Sequence, residues 1–408
     1  MIPARPCRLK KLSFRQHNNA LKARILQPIE SFKIKISDQH CLRIGFGLAS
    51  IQSHSIGVVL GVRLGSFDYL QKNNDFENIV TRLACMINKK GIPTIAADAC
   101  FNARYNQASS VSLFSFSICI EDEDTLKPKM SHMLNLPCRP LTSDFSLINE
   151  KAMSPAYFLE YFDKQIQGRM VLDAGLADAS VLQLDETNLL AVSLKQLMLN
   201  ELETTEQAIN GLYKQAIQSV MAVGAQPLGV VCHLSSRQSE KYRAYLRALN
   251  VSMVANFIDE TDDVLTFVGL GHLAGVSDLI TYELKRAETT LMWVDMPYHL
   301  LPKPFILSAH VVRDEGLMTA IAEMCFKNML GVNITIPTDV TLSAGSLILE
   351  VANDKLKDMR QLFADHQLTF FQLGRTTKMP LIQINKEIQL SLQAIKERWQ
   401  QGLQERVV

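Results

Sequence analysis

The 408-residue sequence contains no run of about 18 consecutive apolar residues, so no helical membrane span is expected. It has no CxxC pair. Its eight cysteines, Cys7, Cys41, Cys85, Cys100, Cys119, Cys138, Cys232 and Cys325, stand apart, which argues against a thiolate metal site or a disulfide framework and for a reducing compartment, the cytoplasm. Net charge is also nearly absent: 42 basic and 41 acidic side chains leave no global reason to expect nucleic-acid binding. Met1–Arg24 has no acid and no apolar signal core. Its seven Lys and Arg make a basic arm, read either as a solvated end or as the one segment suited to RNA or an anionic membrane.

What is present has the balance of globular domains, 47% hydrophobic and 20% charged, at a length that suits two or three of them. Period-two or short apolar runs predict strands at Ser31–Lys35, 42–48, Ser55–Leu64, 94–97, Ser110–Ile120, Met170–Leu172, 179–184 and 189–194. Further strands are expected at 228–232, Ser252–Phe257, 264–270, Thr290–Val294, 346–351, 368–373 and Leu381–Ile384. Helical spacing predicts 75–89, 205–223, 239–249, 355–364 and a charged terminal helix over 388–408. Residues 125–155, with Pro128, Pro137, Pro140 and Pro155, read as a linker.

The chain centres on Pro304–Pro337, PFILSAHVVRDEGLMTAIAEMCFKNMLGVNITIP, which reads strand, tight turn, helix, strand. Polar side chains at such a handover sit beside the free N–H groups of a helix start, where anions are favoured. His310, Arg313, Asp314 and Glu315 form that cluster.

Three segments together resemble phosphoribosylformylglycinamidine synthase of the AIR synthase superfamily. SAHVVRDEGLMTAIAEMCFKNMLGVNITI is similar to its His-Asp-x-Ser-Asp-Gly-Gly-Leu turn and alanine-rich helix, QAIQSVMAVGAQPLGVV (Gln215–Val231) to its long helix and next strand, and FDKQIQGRMVLD (Phe162–Asp173) to its Asp-Arg-Ser-Val-x-Gly-Met segment. The resemblance implies an α+β or α/β fold: an N-terminal-type sheet domain over 156–300 and a C-terminal-type α/β domain with terminal helix over 301–408. They would be preceded by a 1–40 lead-in and a partial, divergent C-terminal-type domain over 41–155. The strand-turn-helix-strand pattern makes 55–150 and 302–385 divergent copies of one fold. The resemblance does not extend to the family's first N-terminal-type domain or its glutaminase.

The family forms an amidine from an amide, using ATP to activate the amide oxygen before ammonia attacks. That chemistry needs Mg²⁺, held by carboxylates, and cations for the phosphates. Here the long helix has Gln215 and Ser219 where relatives have Glu and Asn. The turn has Val311, Arg313 and Glu315 where they have Asp, Ser and Gly. The resemblance therefore implies catalytic candidates His310 and Asp314, cofactor-contacting candidates Asp163, Lys164, Asp173 and Arg313, and no metal ligand set. Each has a plainer alternative: His310 as a packed strand-end histidine, Asp314 as a helix cap, Arg313 in an ion pair with Asp314 or Glu315, and Lys164 paired with a neighbouring aspartate.

The expected protein is a divergent synthase relative that has lost ATP-dependent chemistry and serves as a binding or assembly subunit, with no nucleotide or a weakly held one. The alternative is an active ligase subunit using Mg-ATP and ammonia from a partner glutaminase. A phosphorylated small molecule or another purine-pathway protein are further expected partners. A homodimer through 160–300 is expected, because a sheet without its internal mate would expose an apolar face.

Overall fold

A computed structural model of the chain describes residues 31–36, 40–47, 50–66, 68–70, 75–106, 109–120, 162–173, 177–199, 206–235, 242, 245, 246, 249, 252–257, 264–297, 301, 303–336 and 343–407. The basic arm, the 125–155 linker, the acidic turns at 121–124 and 259–263 and most of the 239–249 helix lie outside them.

The first sheet holds β1 (Ser31–Lys35), β2 (His40–Phe46), β3 (Ser55–Leu64), β4 (Thr94–Phe101) and β5 (Ser110–Ile120), with helix α1 (Asp75–Asn88) crossing from β3 to β4. Its order is β1-β2-β5-β3-β4, antiparallel except for the β3/β4 pair. Alternation along β3 sends Val58, Leu60 and Val62 to α1, while Val59 faces the other way. In β5, Phe114 and Phe116 share that second face, and Ser115 and Ser117 are hydrogen-bonded to Ser50 and Ser55.

The second sheet comprises β6 (Met170–Leu172), β7 (Ser180–Gln183), β8 (Leu189–Met198), β9 (Gln226–Ser235), β10 (Ser252–Phe257) and β11 (Val264–Leu273), with helix α2 (Glu206–Ala222) between β8 and β9. Its order, read from the far edge, is β6-β7-β8-β11-β9-β10, again antiparallel but for β9/β10. Strands β7, β8, β11, β9 and β10 thus repeat β1, β2, β5, β3 and β4 in order and direction. The kinship of 55–150 with 302–385 gives way to one with the second sheet. The copies part after their second strand, where one carries α2 and the other only the short segment 47–54.

The two sheets share one core. Ile44, Phe114 and Phe116 from the first meet Leu190, Val192, Val231, Val268 and Leu270 from the second. Arg63 spans the seam, donating to Ser112 Oγ at 2.7 Å and Thr266 Oγ1 at 2.9 Å. The second sheet therefore has an internal mate, and the exposed face from which a homodimer was expected is covered.

The third sheet contains β12 (Thr290–Val294), β13 (Ile306–Val311), β14 (Gly331–Ile334), β15 (Leu347–Val351), β16 (Phe370–Thr377), β17 (Leu381–Ile384) and β18 (Ile388–Ser391) in the order β13-β15-β12-β16-β14-β17-β18. Strand β12, expected in the middle unit, lies inside this sheet, between β15 and β16. Residues expected to begin the terminal helix form β18 instead, because Asn385 and Lys386 take positive φ (51° and 65°) and fold the chain back onto β17. Helices α3 (Leu317–Phe326), α4 (Leu356–Asp365) and α5 (Leu392–Val407) complete the chain.

Helix α2 is buried along nearly its whole length because it lies between the second and third sheets. Leu212 and Ala216 share a core with Phe267 on one side and with Met292, Val294 and Leu349 on the other. Gly269 has no side chain for the same reason: a Cβ there would lie 2.3 Å from Ala216 O. The opposite face of the third sheet is closed by α3 and by Ile395 and Trp399 of α5.

Candidate functional site

Strand β4, the start of β7, strand β8, helix α2 and the turn after β13 converge on a cavity of about 170 Å³. Its ionisable lining is Asp98, Asp178, Lys195, Arg313, Asp314 and Glu315. The central turn expected from sequence is there: Gly316 takes φ 94° and α3 starts at Leu317. Glu315, standing at the family's glycine position, is not among the positive-φ residues, so its side chain is accommodated without backbone strain.

His310 and Arg313 anchor an ion network behind this cavity. His310 Nδ1 lies 2.8 Å from Asp178 Oδ2, and its Nε2 lies 2.7 Å from Glu323 Oε2. Asp178 Oδ2 also accepts from the Val311 N–H at 3.1 Å. Arg313 donates through one nitrogen to both oxygens of Glu323, at 2.6 and 2.5 Å, and its Nε is 3.7 Å from Glu315 Oε2. The Tyr282 ring covers His310 at 4.8 Å between centroids. Burial alone would lower the His310 pKa, but the carboxylates of Asp178 and Glu323 outweigh it and raise it to about 9. Glu323 is correspondingly held at about 2: burial opposes the charge, and Arg313 and His310 more than restore it.

Of the sequence candidates, the fold brings Arg313 and Asp314 to the cavity wall with His310 directly behind. Asp314 Oδ1 accepts from Gln215 Nε2 at 3.2 Å, tying the turn to α2. Asp163, Lys164 and Asp173 are not in the lining. Asp163 Oδ1 caps a turn through the N–H groups of Gln165 and Ile166, and Lys164 pairs with Asp173 at 2.6 Å. Arg313 pairs with Glu323 and Glu315, so the pairing expected of it is met on one side by a residue sequence spacing did not single out.

Sequence reading missed Asp98, Asp178, Lys195 and Glu323. Lys195 had a visible signal, a lysine inside the largely apolar strand LLAVSLKQLM. Burial, then the nearby Arg313 cation, lowers its pKa. Burial likewise raises Asp98 and Glu315, partly offset by Gln196 and Lys195 for the first and by Arg313 for the second. Cys232 and His233, adjacent in β9, point to opposite faces as strand geometry requires: Cys232 into the α2 core, His233 toward Ser112 Oγ at 2.9 Å and the Phe46 ring.

Known structures share the fold. The chain superposes on PurL of Thermotoga maritima complexed with ATP with a TM-score of 0.53 and 8% identity, covering 85% of this chain and 91% of that one. The AIR synthase fold is therefore the fold of this chain. PurLQS from the same organism gives a TM-score of 0.51 at 9% identity over 89% of this chain and 94% of that one. Phosphoribosylformylglycinamidine synthase II of Thermotoga maritima gives 0.50 at 9% over 90% and 94%. No family model matches the sequence. A stretch of 93 residues is 30% identical to the probable membrane antigen 75 of Saimiriine herpesvirus 2 (strain 11), so the match spans 21% of this chain and only 7% of that protein's length. Among the described residues no helix is long and apolar enough to cross a membrane.

Several polar groups near this cavity are already engaged within the chain. Asp178 and Glu323 are committed to His310 and Arg313, and Asp314 accepts from Gln215. On α2, Gln215 is an amide, and Ser219 Oγ is buried without a hydrogen-bond partner. Among the described residues no three His, Cys, Asp or Glu side chains are grouped to hold a metal ion.

Proposed function

We propose that the protein is a divergent AIR synthase-fold protein that does not run ATP-dependent amidine formation and serves as a binding or assembly subunit. One observation carries this: the turn after β13 is held by internal charge pairs, Arg313 with Glu323 and His310 with Asp178 and Glu323, and is tied to α2 by the bond from Gln215 to Asp314. A triphosphate there would have to displace carboxylates from buried cations. Breaking such buried pairs costs about 3 to 5 kcal/mol each. Titration calorimetry of the full chain with Mg-ATP tests the reading; absence of binding in the micromolar range is expected, and a micromolar Kd would refute it.

A second reading, an active ligase subunit supplied with ammonia by a partner glutaminase, is favoured by one feature. Asp98, Lys195 and Glu315 are ionisable groups with perturbed affinities for protons around a single cavity, as in many active sites. It requires ATP-dependent amidine formation from formylglycinamide ribonucleotide and an ammonium salt. Assembly as a homodimer, or with a purine-pathway protein, belongs to the same proposal. Sedimentation equilibrium over a broad concentration range reads the dimer directly.

A further inference from the structure

The third sheet is packed on one side by α3 and α5, and on the other only over part of its width. There Met292 and Val294 of β12 and Leu349 and Val351 of β15 share a core with Met359 and Phe363 of α4. Register carries this face onto β16: Val294 stands opposite Phe370, Met292 opposite Gln372 and Thr290 opposite Arg375. A bulge at Leu373 keeps Gln372 and Arg375 on the same side. Beyond that line the face opens to solvent. Arg375, Asn333, Gln383 and Gln389 form a single row across β16, β14, β17 and β18, the first two and the last exposed and Gln383 half-buried.

Where α4 borders this open face it leaves a surface groove, with Leu356, Lys357, Arg360, Ala364 and Phe370 in its lining. Arg360 Nη2 donates to Gln372 Oε1 at 2.5 Å, which ties the helix to the sheet. The side chains of Lys357 and Arg375 are exposed and make no hydrogen bond or ion pair among the described residues. No residue of the groove lining or of the row is acidic, and neither is any of the next row, Thr377, Gly331, Leu381 and Ser391. In a chain with 42 basic and 41 acidic side chains, three cations with no acid among them make a surface of one sign. Phe370, Leu356 and Ala364 add an apolar strip beside those cations. Nucleic acid suits the surface less well. The row offers planar amides but no aromatic ring for bases to stack on, and three cations neutralise few phosphates.

We infer that the α4 groove and the adjoining open face of the third sheet dock an acidic segment of a partner protein, its carboxylates at Lys357, Arg360 and Arg375 and one apolar side chain against Phe370 and Leu356. The amides of Asn333, Gln383 and Gln389 both donate and accept, so they suit the backbone of such a segment. The inference rests on the reading of the protein as a binding subunit, and names the surface used and the chemistry of the partner.

The test is fluorescence anisotropy of a fluorescein-labelled peptide, EDELDDE, titrated with the full chain at pH 7. A Kd of about 100 µM or tighter is expected at about 50 mM salt. Raising the salt to about 300 mM should weaken it roughly fivefold or more, since exposed pairs are screened. Replacing the peptide's leucine by serine should cost about threefold or more. Lys357→Glu and Arg375→Glu change exposed side chains that hold nothing in place, so circular dichroism should be unaltered while each weakens the peptide about threefold or more. Because the basic arm Met1–Arg24 also attracts acids, a benzophenone form of the peptide is crosslinked and its attachment mapped by mass spectrometry; α4 or β16 is the expected site. Absence of peptide binding, attachment to the arm instead, unchanged affinity in both charge variants, or tighter binding of an oligouridylate RNA each overturns the inference. Mg-ATP binding is measured separately, so its presence would refute the functional reading without deciding this one.

Discussion

Replacing Glu323 with Gln tests the ion network that holds the turn after β13. The substitution preserves shape but leaves Arg313 and His310 facing a neutral amide, and the Glu323 side chain is only 6% exposed, so solvent screens little. At about 1.4 kcal/mol per tenfold change in proton affinity, the gap between the usual 4.5 and about 2 corresponds to roughly 3 kcal/mol of native-state stabilisation. The sign comes from linkage. Glu323 is depressed in the folded state, so its contribution is full above 4.5 and is lost as pH falls toward about 2. His310 is raised, so its contribution is full below 6.5 and is lost as pH rises through about 9. The two overlap in the His310–Glu323 contact and are not summed. Urea unfolding monitored by fluorescence of the buried Trp293 should show Glu323→Gln less stable by about 3 kcal/mol at pH 6. The unaltered protein should lose a similar amount between pH 6.5 and 9, and the variant somewhat less, because Asp178, the larger cause of the His310 shift, remains. A variant within about 1 kcal/mol of the parent at pH 6 would refute the reasoning.

Other outcomes rest on particular contacts. Gly224, at the end of α2, has φ 88°, and a Cβ there would lie 2.1 Å from Asp278 O, so Gly224→Ala should cost at least about 2 kcal/mol in urea unfolding; a neutral result would mean that this turn is not so constrained. Phe116 is fully buried at the shared face of the first two sheets, so Phe116→Ala should lower stability by about 3 to 5 kcal/mol; a loss below about 1 kcal/mol would mean that the sheets do not share that core. Asp163→Ala removes a turn cap on the exposed side, so a stability change of about 1 kcal/mol is expected in urea unfolding.

Individual elements were legible because their signals are local. The strands Ser55–Leu64, Ser110–Ile120, Thr290–Val294 and Leu381–Ile384 have the limits their apolar runs predicted, and α2 lies within a residue of its expected ends. The turn with Arg313, Asp314 and Gly316 was legible for the same reason. Helical spacing over 388–408 concealed β18, because a few residues of a hairpin arm carry too little periodicity to compete with the helix after it. Asp163, Lys164 and Asp173 were grouped with the site by their order along the chain. In the structure Asp163 bonds the nearby backbone and Lys164 pairs with Asp173.

The amino-acid sequence by itself determined most of the strand and helix segments and the handover from β13 to α3. Only the tertiary structure decided that the first sheet repeats the second and covers it, and that His310 meets Asp178, 132 positions away. Hydrophobic periodicity reports which face of a segment is apolar; it carries no record of what that face meets. A buried charge likewise finds its partner through space, and nothing in the local pattern around Lys195 or Asp98 shows that β4 and β8 bring them to one cavity.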